Sequence, residues 1–228
     1  MLIEMISKAT IQLLPGQSYL VMMDMDSTLI CNEVIDDLAA AVGVGDEVKA
    51  ITNLAMSGSI DFAESLRRRV GLLQGADEKI LVDIKNAIKL TPGAEELISK
   101  FKELGFKTCV VSGGFDVVIK EIIKKLNIDD FRANKLEVVN GKLTGNFLGE
   151  ILDANGKKET LIQMAKKFSI PLSRTIAIGD GANDIPMIEQ AAIGIAFNGK
   201  NALEEKANLQ VHDESLLGVL SVLGLSSP

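Results

Sequence analysis

The chain has 228 residues, of which 47% are hydrophobic, a composition that excludes disorder and suits one large domain or a core domain with a smaller insert. Its 24 Lys and Arg residues face 31 Asp and Glu residues, and the resulting net charge of −7 argues against a nucleic-acid partner. The longest uncharged stretches, 9–23 and 215–228, fall short of the roughly 20 apolar residues that a membrane helix needs, so no membrane partner is expected.

The N-terminus and the cysteines favour a cytoplasmic protein. Glu4 interrupts the apolar start, and neither a basic leader nor a small-residue cleavage site is found there, so no signal peptide is expected. Cys31 and Cys109 lie far apart and form no CxxC pair, as expected of reduced thiols. Because His212 is the single histidine, a multi-histidine metal site is excluded and any metal must be held mainly by oxygen.

Short apolar runs alternate with helical periods along most of the chain. Buried strands are predicted at 19–23, 107–111 and 175–178. Amphipathic helices are predicted around 97–104 and 161–168. Strands that alternate with helices of this length predict an α/β fold with a parallel sheet and right-handed crossovers.

One region interrupts the alternation. Between about 36 and 90 the apolar residues follow helical periods, with no convincing strand among them. Asp61 and Glu64 resemble a capping box at the start of one helix. We therefore predict that 36–90 form a helical cap inserted after the first strand, over a core of 1–35 and 91–228. The apolar stripes of the cap are Ile35, Leu38, Ala39 and Val42, and Phe62, Leu66 and Val70.

Three further segments are interpreted from local signals. Asn140 and Gly141 predict a β-hairpin within 136–147. Residues 1–18 could add an edge strand or a short helix. The apolar stretch 216–225 is typical of a core helix but could also form a dimer interface, so a monomer and a homodimer both stay open.

The residues that could carry chemistry follow the predicted strands. Ligands of an open parallel sheet bind beyond the carboxyl ends of its strands. Asp24 and Asp26 follow the first strand, and if the extended geometry continues, both carboxylates leave the same side of the chain. Their repulsion is tolerable where a divalent cation such as Mg²⁺ neutralises one of them, with Asp180 after a later strand as a further oxygen ligand. The alternative is that these acids are only polar turns.

Two more features suit an anion. Ser112, Gly113 and Gly114 join the second strand to a helix, where a hydroxyl and bare amides can bind phosphate, although a flexible glycine turn has the same sequence. Lys157 and Lys158 open a later helix, and either could reach a phosphoryl oxygen or be solvated. Neither GxxxxGK[ST] nor GxGxxG occurs, so a P-loop enzyme and a dinucleotide oxidoreductase have little support.

The order of these motifs resembles that of the haloacid dehalogenase superfamily, whose members have a Rossmann-like parallel-sheet core and a cap. The DxDxT motif of the superfamily corresponds to 24–28, its Ser or Thr to Ser112, its Lys to Lys157 and its GDxxxD motif to 179–184. Within the superfamily, DMDSTLI, SLRRRV, VSGGF and GDGAND together resemble the phosphoserine phosphatases.

The resemblance implies a role for each acid. Asp24 attacks phosphorus as the nucleophile, and Asp26 protonates the leaving hydroxyl and then deprotonates the hydrolytic water. Mg²⁺ is held by the carboxylates of Asp24 and Asp180 and by the main-chain carbonyl of Asp26. Asp184 orders the surroundings of the metal.

The resemblance also implies the contacts of the substrate. The phosphoryl oxygens are held by Ser112, Gly113 and Lys157. The substrate's amino and carboxylate ends are received by Glu33 and Arg69, which would select a zwitterion. The rest of the pocket is lined by Met56, Phe62 and Asn183.

These features predict a Mg²⁺-dependent phosphatase that converts L-phosphoserine to serine and phosphate through an aspartyl-phosphate intermediate, as a step of serine biosynthesis. The nearest alternative is the same chemistry on phosphohomoserine, phosphothreonine or phosphoglycolate. A phospho-aspartate signalling module is a further alternative, which Asp26 disfavours because it would hydrolyse the phosphoenzyme. The cap is expected to move over the core, because the site must admit substrate and then exclude stray water.

Overall fold

The computed structural model describes residues 13–56 and 58–225 of the chain. The strands of this part are β1 Leu20–Met23, β2 Lys107–Phe115, β3 Asp130–Asn134, β4 Leu136–Val139, β5 Lys142–Phe147, β6 Thr175–Gly179, β7 Ile193–Phe197 and β8 Leu209–Val211. Six of them form one sheet in the order β3-β2-β1-β6-β7-β8, in which every neighbouring pair is parallel. The predicted α/β fold with a parallel sheet is confirmed.

Helices cover the sheet and fill the connection after β1. They are α1 Val34–Val42, α2 Gly45–Met56, α3 Phe62–Gly71, α4 Lys79–Ala87, α5 Ala94–Glu103, α6 Asp116–Leu126, α7 Ala154–Lys167, α8 Ile185–Gln190, α9 Asn201–Glu204 and α10 Leu217–Val222. Within the described residues, no helix is both long and apolar enough to span a bilayer.

Both faces of the sheet are buried, and the central strand β1 shows why its sequence is apolar throughout. Leu20 and Met22 belong to a cluster with residues of α7 and α8. Val21 and Met23 belong to a larger cluster with residues of α5, α6 and α10. Because alternate side chains of a strand point to opposite faces, a strand covered on both sides has no polar position. The acids can therefore appear only where β1 ends.

The segment between β1 and α5 contains α1 to α4. Helix α3 begins where Asp61 accepts a hydrogen bond from the amide of Glu64 at 2.7 Å, so the Asp61 half of the predicted capping box is confirmed. The side chain of Glu64 pairs instead with Arg68, whose Nε donates to it at 2.7 Å. The buried members of the predicted stripes are Ile35, Leu38, Ala39, Leu66 and Val70. The division into cap and core stays a prediction.

The hairpin and the segments near the two ends of the chain were also interpreted from the sequence. Strands β4 and β5 pair antiparallel, with Asn140 and Gly141 at φ values of 51° and 75°, as a tight turn of this type requires. The predicted hairpin is confirmed. Residues 1–12 lie outside the described residues, and 13–18 form neither the edge strand nor the helix considered for them. Helix α10 buries Val219 and Leu220, and the flanking Leu216 and Leu223 are also buried, as expected of a core helix.

Candidate active site

The carboxyl ends of β1 and β6 bring three acids together. Met23 pairs with Ile178 across the two strands, and the amide of Asp24 donates to the carbonyl of Ile178 at 2.9 Å. Asp180 and Asp184 follow β6, and one carboxylate oxygen from each of the three acids lies within 4.8 Å of the others. Hard oxygen ligands at this spacing fit a divalent cation. The chain therefore carries an acidic cluster that could hold a metal ion.

A fully buried lysine lies beside this cluster. The Nζ of Lys157, on α7, is 2.7 Å from Asp24 Oδ2 and 2.7 Å from Asp184 Oδ1. Burial alone lowers the pKa of Lys157, but the two acids outweigh it and raise the pKa well above the ordinary value. Of the two adjacent lysines, Lys157 is therefore the one that meets the acids as a permanent cation, while Lys158 is only half-buried.

Asp184 is engaged on both of its oxygens. Its Oδ1 faces Lys157, and its Oδ2 accepts the amides of Asp180 at 3.2 Å and Gly181 at 3.1 Å. Gly179 allows this close packing, because a Cβ there would lie 2.4 Å from Asp184 Oδ2. These contacts hold the turn after β6 in one shape and leave Asp180 facing the cavity.

The electrostatics of the cluster favour a cation. Burial raises the pKa of Asp24 well above its usual range, and Asp184 adds to this, while Lys157 opposes it. Burial and then Asp184 raise the pKa of Asp180 to about 6, against the pull of Lys200. Carboxylates that repel in this way are stabilised in the ionised form by a bound divalent metal.

Asp26 lies in different surroundings from Asp24. Its Oδ1 accepts the amide of Val34 at 2.9 Å, and its Oδ2 accepts the hydroxyl of Ser112 at 3.1 Å. Burial raises the pKa of Asp26 to about 7, with a further contribution from Glu33 that these two hydrogen bonds partly offset. A carboxyl group with this pKa can exchange a proton near neutral pH.

The end of β2 differs from the predicted strand-to-helix turn. Ser112, Gly113 and Gly114 lie inside β2, which continues to Phe115 before α6 begins. Ser112 pairs with Ala133 and Phe115 with Asn134, so Gly113 and Gly114 form a bulge near the strand end, here termed the glycine bulge. The predicted strand 107–111 was too short, and the alternative of a flexible glycine turn is wrong, because Phe115 resumes the pairing with β3. Ser112 Oγ accepts the amide of Gly114 at 2.8 Å.

At both glycines of the bulge, an added Cβ would lie close to side-chain atoms of other residues. A Cβ at Gly114 would lie 2.7 Å from Asp26 Oδ2, and a Cβ at Gly113 would lie 2.9 Å from Cζ of Phe62. The backbone of these two glycines therefore lies between Asp26 on one side and Phe62, at the start of α3, on the other.

A cavity of about 490 Å³ joins these groups. Its lining includes the predicted residues Asp24, Asp26, Glu33, Phe62, Arg69, Gly113, Asp180 and Asn183. Three predicted residues stand behind this wall: Ser112 contacts Asp26, Lys157 contacts Asp24, and Asp184 contacts Lys157. The side chain of Met56 lies outside the described residues. The structure thus brings the described members of the predicted site together, while their roles stay predictions.

The side of the cavity formed by α1 and α3 carries charges of both signs. The guanidinium of Arg69 donates from Nε to the carbonyl of Ser65 at 3.4 Å. Burial lowers its pKa, and Asp36, Glu33 and Asp26 act in the opposite direction. Glu33 is fixed by the hydroxyl of Ser27, which donates to Oε1 at 2.7 Å. A cation and an anion thus face the same space.

Sequence reasoning missed one cation of the cavity. Lys200 lies after β7, with Nζ 3.9 Å from Asp180 Oδ2 and its amide donating to the Asp180 carbonyl at 2.9 Å. The rule that ligands lie beyond strand ends would have found it, but β7 was not predicted as a strand.

Acids, a buried lysine and a glycine bulge at the carboxyl ends of one parallel sheet define an α/β protein equipped for phosphoryl chemistry. The sequence profile of the haloacid dehalogenase-like hydrolases matches residues 20–192. The chain belongs to this family of hydrolases.

Several similar proteins are named phosphoserine phosphatases. A phosphoserine phosphatase of Idiomarina loihiensis is 48% identical over 90% of this chain and 94% of its own length. That of Archaeoglobus fulgidus is 46% identical over 90% of this chain, which spans only 60% of the length of that relative. A solved structure titled a phospho-aspartyl intermediate analogue of phosphoserine phosphatase has a TM-score of 0.86 and 44% identity, covering 90% of this chain and 98% of its own.

Proposed function

We propose that the protein is a Mg²⁺-dependent phosphatase that hydrolyses L-phosphoserine to serine and phosphate through an aspartyl phosphate on Asp24. The observation that carries the proposal is the contrast in contacts between two neighbouring acids: Asp24 Oδ2 lies 2.7 Å from the buried cation of Lys157, whereas Asp26 accepts hydrogen bonds from the amide of Val34 and the hydroxyl of Ser112. Pairs of acids with opposed environments divide nucleophilic and acid–base roles between them. The relatives named phosphoserine phosphatases support the choice of substrate.

In the first step, a carboxylate oxygen of Asp24 forms a bond to phosphorus as the bond from phosphorus to the serine oxygen breaks. Lys157, the hydroxyl of Ser112 and the amide of Gly113 neutralise the phosphoryl oxygens. Asp26, protonated at the start, gives its proton to the serine oxygen, because a free alkoxide is a poor leaving group. Serine leaves and the phosphoryl group stays on Asp24.

In the second step, Asp26 acts in the reverse sense. Now a carboxylate, it removes a proton from water, whose oxygen attacks phosphorus as the bond to Asp24 breaks. Inorganic phosphate leaves, and Asp26 is again protonated. A pKa of about 7 suits both halves of this cycle, because the group must be a fair acid and a fair base at the same pH.

The metal assignment rests on which acids line the cavity, since Asp24 and Asp180 line it and Asp184 does not. Asp184 is committed to Lys157 and to two amides, so it acts as a positioning residue, while the carboxylates of Asp24 and Asp180 and the carbonyl of Asp26 would hold Mg²⁺. When bound, Mg²⁺ supplies charge neutralisation at the phosphoryl oxygens. The predicted place in serine biosynthesis and the cytoplasmic location belong to the same proposal.

Selectivity is proposed to come from Arg69 and Glu33. We expect Arg69→Met to lower kcat/KM for phosphoserine by about 10- to 100-fold, because a charge-assisted hydrogen bond to the substrate carboxylate is lost. Hydrolysis of p-nitrophenyl phosphate, which has no carboxylate, should stay near wild type.

Arg68→Met is the matched control, since Arg68 is the preceding residue of α3 and pairs with Glu64 on the surface. The assignment would be contradicted if Arg69→Met lowered kcat/KM for both substrates. It would also be contradicted if Arg68→Met lowered kcat/KM for phosphoserine by the same factor.

A further inference from the structure

Asn134, the last residue of β3, connects two segments of the site that are distant in sequence. Its side chain is buried, with 3% of the residue exposed. Nδ2 donates to the carbonyl of Gly113 at 2.8 Å, and Oδ1 accepts the amide of Leu152 at 2.7 Å. One amide group thus satisfies two main-chain groups, one in the glycine bulge and one just before α7.

The register shift between β2 and β3 explains why an amide is needed there. The bulge removes Gly113 from regular pairing, and a buried carbonyl left without a donor is costly. The side chain of Asn134 provides the missing donor. The same side chain offers an acceptor at its other end, a combination that Asp, Leu and Ala do not have.

The second hydrogen bond reaches the helix that carries Lys157. Leu152 precedes Asp153, whose carboxylate caps α7 by accepting the amide of Gly156 at 2.8 Å. Lys157 follows in the first turn of α7 and contacts Asp24. The position of Leu152 therefore sets where α7 begins and where its lysine points.

We infer that Asn134 is a positioning residue that holds the glycine bulge and the Lys157 helix in register around the phosphoryl group. This inference rests on the proposed phosphoryl site but not on phosphoserine as the substrate. Asn134 itself does not line the cavity, so it acts through Gly113 and Lys157. A displacement of about 1 Å of either group is enough to cost about 100-fold in rate.

The test compares Asn134→Leu with Thr175→Val, an apolar replacement of similar size at the far end of the sheet. Thr175 is also fully buried and also joins two main-chain groups, since Oγ1 donates to Leu172 O at 2.7 Å and accepts from Ala192 N at 3.1 Å. Both variants should unfold at lower temperature than wild type. Asn134→Leu alone should weaken binding of inorganic phosphate to the Mg²⁺-loaded protein roughly tenfold or more, and lower kcat for p-nitrophenyl phosphate roughly 10- to 100-fold.

Calorimetry with inorganic phosphate needs no turnover, so it separates this inference from the proposed function. If the wild type binds inorganic phosphate but does not hydrolyse phosphoserine, the proposed substrate is refuted. The Asn134 variants then still test this inference. If Asn134→Leu does not fold, Asn134→Asp keeps the acceptor for Leu152 and loses the donor to Gly113, and the same loss of phosphate affinity is expected. The inference would be overturned if the Asn134 variant that folds had the same phosphate affinity and the same kcat as Thr175→Val.

Discussion

Asp24 and Asp26 lie two positions apart, yet their surroundings differ. Asp26 is extended at φ −64° and ψ 136°, and Ser27 after it is left-handed at φ 53°. The carboxylate of Asp24 contacts Lys157, and that of Asp26 contacts Ser112. Two acids that are equivalent in sequence thereby become chemically different, which is what a nucleophile and a proton donor require.

The role of Asp26 is tested by Asp26→Asn. We expect turnover to fall by about 100- to 10,000-fold, because an amide neither protonates the serine oxygen nor activates water. Acid-quench experiments should show any phosphoenzyme that forms persisting longer than in wild type. Asp24→Asn is the control, since it lacks the attacking oxygen and should form none. Turnover of Asp26→Asn near that of wild type would refute the acid–base assignment.

Lys157 is tested through stability as well as activity. Lys157→Met should lower the free energy of unfolding by about 3 to 5 kcal/mol, because it leaves buried Asp24 and Asp184 without their cation. Lys158→Met, a change of the same type one residue later, should have a much smaller effect. Urea denaturation at neutral pH measures both. Equal losses in the two variants would argue against the buried ion pairs as the cause.

At the scale of elements, the start of α3 and the glycine bulge are in direct contact. Phe62 approaches Gly113 so closely that a Cβ at Gly113 would lie 2.9 Å from its ring. The helices between β1 and α5 therefore close one side of the cavity through this contact. The predicted cap motion would have to separate these two residues, and the small size of Gly113 allows them to meet again.

A pH-dependent contact between elements lies at the amino-terminal ends of β2 and β3, away from the active site. Asp129, just before β3, accepts the amide of Thr108 at 3.0 Å and pairs with Lys107 of β2 at 2.9 Å and Lys102 of α5 at 3.7 Å. Burial alone raises the pKa of Asp129, but these partners outweigh it, so the pKa lies below its ordinary value.

A folded-state pKa below the unfolded value means that the carboxylate stabilises the protein above about pH 4 and loses this effect as the pH falls through the folded value. Asp129→Asn should therefore reduce stability at pH 7 by at most about 1 kcal/mol, since the group is partly exposed. Denaturant unfolding from pH 7 to pH 2 should show the difference from wild type shrinking in acid. A difference that is constant over this range would contradict the account.

At the scale of the whole molecule, the strands predicted from sequence were those with long apolar runs, such as β1 and β6. The apolar strand β7 was also missed. Strands β3 and β8 were missed because charged residues interrupt β3 and β8 has only three residues. Local periodicity carries no information about such strands, whose pairing depends on neighbours distant in sequence.

Local sequence patterns also limited the prediction of the site, because they do not reveal pairing with strands that are distant in sequence. Asp24, Asp26, Ser112 and Asp180 were predicted because each follows an apolar run that predicts a strand. Asn134 was missed because it ends β3, a strand that was not predicted. The glycine bulge was predicted as part of the connection to the next helix, since nothing in its own sequence reveals the register shift. The choice between Lys157 and Lys158 also required the structure, because the rotation of α7 decides which of the two is buried.

Phosphate release from a panel of small esters tests the central claim most directly. The panel contains phosphoserine, phosphothreonine, phosphohomoserine and phosphoglycolate, each assayed with Mg²⁺ and with a chelator. We predict the highest kcat/KM for phosphoserine and loss of activity for every ester when the metal is removed. A higher kcat/KM for another ester would contradict the roles of Arg69 and Glu33. Undiminished activity in the chelator would contradict the metal site, and failure to release phosphate from any ester would contradict the phosphatase mechanism itself.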